Sequence, residues 1–330
     1  MKGIFTVSLD FELHWGGFEK WPLSEYQTYF LNTREAIPKM LALFEEFDIH
    51  VTWATVGLLF YDRKESMQND FPKQKPAYDM QELSAYHYMN TAGIGDDEKS
   101  DPFHYAASLI EKVLATPHQE LATHTFAHYY CNEKGQTLEQ FRDDLRAAQK
   151  AAKRFGKTLT SLVFPRNQFN DQYLQVCFEE GITAVRSNPM DWFWNIQSTL
   201  DESKWKRLNR GLDAYLPVGK HNTYKLSDLK LERDRPACLP ASRLLRPYRK
   251  KELFLNTMKI QRIKQEMERA AKAGEVYHLW WHPHNFGNFP SESLAGLRSI
   301  LQKYKQCRET YGMSSLNMKE IVDQINNRNA

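Results

Sequence analysis

Residues 5–12 alternate between large apolar and polar side chains: Phe5, Val7, Leu9 and Phe11 against Thr6, Ser8, Asp10 and Glu12. A period of two is a strand pattern, and side chains two apart share a face. Asp10 and Glu12 therefore point the same way, and two like charges in a buried strand require a partner or a metal ion. Residues 32–48 switch to helical spacing, with Ile37, Met40, Leu41, Phe44 and Phe47 recurring on one stripe. IHVTWATVGLLF, residues 49–60, is β-branched and aromatic and predicts a buried strand ending near Gly57. Strand, helix and strand in succession predict a parallel βαβ unit.

The rhythm continues to the last residues. Helices are predicted over 105–115, 137–155, 171–180, 256–273 and 291–311, and strands over 119–123, 161–165, 182–188 and from 275. SSLN and MKEIVDQINN close the chain as a short strand and a helix. Two segments break the pattern. Residues 61–104, rich in Asp, Lys, Gln, Pro and Tyr, predict a long functional loop with short helices, and residues 195–255 are weakly patterned and basic. No internal repeat or Gly/Ser linker divides the chain, so one α/β barrel-like domain over 1–330, with insertions near 61–104 and 195–255, is expected.

Composition narrows the function classes. Of 330 residues, 42% are hydrophobic and 13% aromatic, which supplies a large core and argues against disorder. The net charge of +3, from 44 basic and 41 acidic residues, is too balanced to point to nucleic-acid binding by field alone. No apolar run approaches the ~18 residues of a membrane span. The opening MKGIFTVSLDFE lacks a signal-peptide pattern, so a cytoplasmic location is the expectation. Cys131, Cys177, Cys238 and Cys307 are far apart and form no CxxC, which predicts reduced, packed thiols.

Barrel enzymes carry their chemistry at the C-terminal ends of strands, and the unusual residues of this chain gather there. The first strand ends in Asp10-Phe11-Glu12, the next cluster is His124-Thr125-Phe126-Ala127-His128, and Pro165-Arg166-Asn167-Gln168, Met190-Asp191-Trp192 and His282-Pro283-His284-Asn285 follow. Histidines at i and i+4 meet on one face of a helical turn, close enough to share a metal ion. The zinc-protease version of this spacing has Glu directly after the first His; here Thr125 stands there. A third ligand and a base must come from elsewhere, and Asp10 and Glu12 offer one carboxylate for each.

These motifs together resemble the polysaccharide deacetylase family, the NodB-homology group within carbohydrate esterase family 4. The likeness runs from residue 5 to about 287, with HTFAH, FPRNQ, NPMDW and HLWWH matching the later motifs in order. The acids departing from the family's adjacent aspartates, and Asn188 standing for the first Asp of the fourth motif, mark a divergent branch. The resemblance implies a distorted, TIM-like (β/α) barrel with fewer than eight full repeats, and metal-dependent hydrolysis of an N- or O-acyl group on a sugar. It implies Glu12, His124 and His128 as metal ligands, Asp10 as base with Arg166 as its partner, and His282 as acid with Asp191 beside it. Zinc suits two imidazoles and a carboxylate, with cobalt, nickel or manganese as alternatives.

Around this centre, Trp192, Asn167 and His284 are placed on the substrate side, with Trp194, Trp280 and Trp281 as further aromatic candidates and His14 as a residue behind Glu12. The basic run 239–251 nominates Arg243 and Arg246 as a clamp for a phosphate or acidic sugar, in keeping with a nucleotide- or lipid-linked acylated amino sugar as substrate. No nucleic-acid partner is expected. The competing readings are a deformylase or another amidohydrolase acting on non-peptide C–N bonds in the same fold, and a catalytically silent carbohydrate-binding protein.

Overall fold

Strand β1 (Ile4–Phe11) is buried along its whole length. Its apolar residues Phe5, Val7, Leu9 and Phe11 join the main core, while Ser8 and Asp10 reach across to the guanidinium of Arg186. In this computed structural model, which describes residues 2–195, 203–216, 219, 222–229 and 231–329, the strands pair in parallel around that first strand. After α1 (Leu23–Phe47) comes β2 (Val51–Thr55), shorter than the 49–60 run because Gly57–Phe60 turns into a 3-10 helix. The excursion at 61–104 carries α2 (Lys64–Asn69) and α3 (Ala85–Thr91). The order continues with α4 (Ala107–Ala115), β3 (Gln119–Thr123), α5 (Leu138–Lys153), β4 (Ser161–Val163), α6 (Asp171–Glu179) and β5 (Ala184–Ser187).

The weakly patterned region holds α7 (Lys204–Leu212), β6 (Ala237–Pro240) and β7 (Arg243–Leu244). Then α8 (Leu253–Ala273), β8 (Val276–Trp281), α9 (Pro290–Tyr311), β9 (Ser314–Ser315) and α10 (Met318–Asn329) complete the described chain. The sheet order is β6-β5-β4-β3-β2-β1-β8-β7, with β9 on β1. β6 pairs with β5 and β7 with β8. Between them, the Ala241 N–H donates to Ser187 and the Ser242 N–H to His278. One bent strand thus spans the seam, and the barrel has seven strand positions among the described residues: β1 to β5, the bent β6–β7, and β8. The expected distorted α/β barrel with fewer than eight repeats is the fold found.

Helix α5 starts close to the expected 137, where Thr137 and Gln140 form a reciprocal capping box. Helix α10 closes the bottom of the barrel. Its first N–H groups donate to Thr52 Oγ1 (2.9 Å) and Glu120 Oε2 (3.2 Å), and Met318, Ile321, Val322 and Ile325 pack on Ile4, Val276 and Leu239. An acid at a helix N-terminus meets unpaired N–H groups and the positive end of the dipole. With that end sealed, the C-terminal ends of the strands are left to present the polar side chains.

Candidate active site

Glu12 leaves the end of β1 and lies between two imidazoles. Its Oε2 is 3.2 Å from His124 Nε2 and 3.0 Å from His128 Nε2. The far side of each ring is already engaged. His124 Nδ1 is 2.8 Å from the Val163 carbonyl, which fixes its N–H there, and His128 Nδ1 is 3.0 Å from the Tyr130 hydroxyl. Both Nε2 atoms face the same point as the carboxylate. Donor atoms about 3.3 Å apart are what a tetrahedral ion with ~2.0–2.2 Å bonds requires, so the three residues fit a divalent metal. All three are buried. Burial raises the Glu12 pKa, but His282, His124 and His128 outweigh it and hold the carboxyl well below its usual range. Burial lowers His128 despite the Glu12 charge, which favours the neutral ligand form.

HTFAH is not a turn of helix. Thr125 and His128 have φ of 64° and 55°, in the left-handed region, and residues 124–128 form a loop beyond β3. The helical i, i+4 expectation is corrected: the two rings meet because the loop folds back, with centroids 5.1 Å apart. Asp144 of α5 holds the loop, accepting from the N–H groups of Phe126 (2.5 Å) and Ala127 (3.1 Å). Gly57 packs beneath it, where an added Cβ would stand 2.7 Å from Phe126 Cα. A second glycine, Gly16, leaves the space that the Glu12 carboxylate fills, since a Cβ there would overlap it. The sequence reading missed Gly16 and Asp144, although a glycine four residues after a candidate ligand is a usable signal.

Asp10 is held by Arg186, not Arg166. Arg186 is fully buried, and its two terminal nitrogens donate to Asp10 Oδ1 (2.6 Å) and Oδ2 (2.8 Å). It also donates to Ser8 (3.2 Å) and Asn167 (3.1 Å), and its guanidinium lies 4.2 Å from the Trp280 ring centre. Burial raises the Asp10 pKa, but Arg186, then His282 and His124, overcome it and leave it lowered. Arg166 stands elsewhere: it pairs with Glu19, lies 3.9 Å from Glu133, and covers the Tyr130 ring at 4.1 Å. The loop after β4 turns Arg166 to Glu19, whereas β5 carries Arg186 to Asp10 inside the barrel. An arginine inside the predicted strand ITAVRSN was the overlooked sign.

His282 Nε2 is 3.5 Å from Asp10 Oδ2 and 3.6 Å from Glu12 Oε1, with 26% of the side chain exposed. That exposure makes it the solvent-facing member of the cluster. Asp191, expected beside it, instead accepts from Asn222 Nδ2 at 2.8 Å. His284 is buried behind the centre, not in an open groove. Its ring stacks on His282, its Nδ1 is 3.7 Å from Glu12 Oε1, and burial, then His282, depresses its pKa to about 3.

Trp192 is 61% exposed, while Trp194, Trp280 and Trp281 are buried. His14 lies away from the centre, 2.8 Å from His104 Nε2. Arg243 is not free to clamp a ligand: it pairs with Glu266 at 2.6 and 2.7 Å and with Asp213 at 3.2 Å. Arg246 donates to the Arg210 carbonyl and, with Arg207 and Arg249, lines a surface cavity of about 380 Å³.

The open end of the parallel α/β barrel thus carries a His–His–carboxylate cluster and a buried Asp–Arg pair. Residues 25–185 match the family model for polysaccharide deacetylases. The fold is similar to a Mycobacterium smegmatis structure assigned as a polysaccharide deacetylase, with 14% identity, a TM-score of 0.62, and coverage of 99% of this chain and 92% of that one. A Pseudomonas aeruginosa PAO1 structure assigned to the same activity has 10% identity, a TM-score of 0.56 and coverage of 97% and 89%. The Puue allantoinase has 10% identity, a TM-score of 0.55 and the same coverage. No curated protein sequence matches the chain. Among the described residues, no helix is long and apolar enough to cross a membrane.

Proposed function

We propose that this protein is a metal-dependent deacylase that hydrolyses an N- or O-acyl group on a sugar. The observation that carries the reading is the convergence of Glu12, His124 and His128 beside the Arg186-held carboxylate of Asp10 and the partly exposed ring of His282. The first three residues hold the ion, which when bound supplies Lewis acidity to the acyl carbonyl and to water; zinc suits the donor set.

Asp10 is the base. Arg186 takes one lone pair on each oxygen and keeps the carboxylate ionised, and the remaining lone pairs can accept a proton from the attacking water. His282, facing both acids and solvent, donates a proton to the departing amine or alcohol as the acyl bond breaks. Trp192 offers an exposed aromatic face for a pyranose ring. The test is release of acetate or formate from acylated amino sugars by zinc-loaded protein, with Asp10→Asn as the control. The reading predicts sugar-dependent acyl release lost in the variant. Turnover of allantoin-like amides without sugar turnover would move the protein to the other C–N hydrolases of this fold.

A further inference from the structure

At the opposite end of the barrel, three other ligating side chains stand together. Asp48 follows α1, His50 precedes β2, and His118 precedes β3, so all three lie at strand N-termini, away from the centre at the C-terminal ends. One carboxylate oxygen and one ring nitrogen from each histidine lie within 4.8 Å of one another. Asp48 Oδ1 is 3.7 Å from His118 Nε2 and 4.0 Å from His50 Nε2. The rings are parallel, with centroids 4.0 Å apart.

The tautomer of His50 is fixed from outside the cluster. Its Nδ1 is 2.6 Å from Glu320 Oε2 of α10, so Nδ1–H donates to the carboxylate and Nε2 is the ring nitrogen turned to Asp48. A carboxylate behind a ligating imidazole is the arrangement that orients metal-binding histidines and raises their basicity. The backbone is also tied: the Val51 N–H donates to His118 O, and the His50 N–H to Ser315 Oγ at 3.0 Å.

We propose that Asp48, His50 and His118 form a second divalent-metal site that clips the starts of β2 and β3 to α10. Two imidazoles and one carboxylate select zinc, nickel, cobalt or copper over magnesium or calcium. Closing on one ion turns the two rings out of parallel so that both lone pairs meet, and it draws Asp48 from Arg308, whose Nη1 is 3.4 Å from Oδ2. His118 and Asp48 are exposed, which leaves room for that movement and for the ion to enter from solvent.

The experiment is Zn²⁺ binding by equilibrium dialysis with metal analysis on the full chain. It compares the wild type, His118→Ala, the double variant His124→Ala/His128→Ala, and the triple variant. The expected content is two, one, one and no equivalents. Zn²⁺ should raise the Tm of the double variant but not of the triple one, and Glu320→Gln should weaken the remaining site in the double variant by about 10–100-fold. Wild-type metal content in His118→Ala, or an equal Tm rise in the double and triple variants, would overturn the proposal. The His118→Ala comparison stands apart from the other centre: failure of the catalytic reading would show as unchanged metal in the double variant instead.

Discussion

Replacing Arg186 with Met removes the cation that lies against Asp10 and keeps most of the side-chain volume. Both partners are buried, at 1% and 3% exposure, so the abandoned carboxylate is poorly solvated. Breaking a buried pair from one side costs about 3–5 kcal/mol. The lost bonds to Ser8 and Asn167 and the contact with Trp280 place this site toward the upper end. The assay is urea unfolding at pH 7, read as a fall in midpoint at constant slope. It is run as a double-mutant cycle with Asp10→Asn, whose coupling with Arg186→Met should reach about 2–3 kcal/mol. Arg186→Lys keeps the charge but not the fork and should recover only part of the loss. Because the Asp10 pKa lies below its ordinary 3.8 in the folded state, the pair's stabilisation is complete above that pH. It fades as pH falls through the lower folded value, so the wild type loses this stabilisation only under acid conditions. Coupling below ~0.5 kcal/mol, or equal coupling of Asp10 to Arg166→Met, would refute the assignment.

Asp10→Asn should retain zinc while kcat falls by about 10²–10⁴. Glu12→Gln should lose zinc affinity and regain part of its activity in excess metal; a filled, inactive Glu12→Gln with an empty Asp10→Asn would reverse the roles. Asp144→Ala removes the acceptor for two loop N–H groups. It should cost about 1–3 kcal/mol and weaken zinc binding at the His124–His128 loop, measured by chelator competition; unchanged affinity would mean the loop holds itself. His278 is buried 2.9 Å from Ser8 Oγ, and burial, then Arg186, lowers its pKa to about 3. It stays neutral in the fold while the unfolded chain protonates near 6.5, so stability falls as pH drops below that value. From pH 6.5 to 4 the loss attributable to this group is about 3 kcal/mol. His278→Gln should flatten the acid limb of the stability curve by that amount, and parallel curves would remove His278 from the account.

Much of the barrel and part of its centre could be read from sequence because they rest on local periodicity. The alternation from Phe5 to Glu12 put two acids on one strand face whatever the rest of the chain did, and helical spacing alone placed a helix over 137–155, close to the observed α5. What the sequence could not decide was which distant group meets which. Arg166 and Arg186 are equally charged and only twenty residues apart. The strand register that aims β5 across the barrel brings Arg186 to Asp10, while the loop after β4 leaves Arg166 with Glu19. The basic run 239–251 looked like a ligand clamp because its acids, Asp213 just after α7 and Glu266 on α8, are brought to Arg243 only by tertiary packing. The pairing of His50 with His118 likewise exists only because β2 and β3 lie side by side. A residue's own neighbours along the chain fix its backbone and facing direction; barrel closure fixes its electrostatic partner.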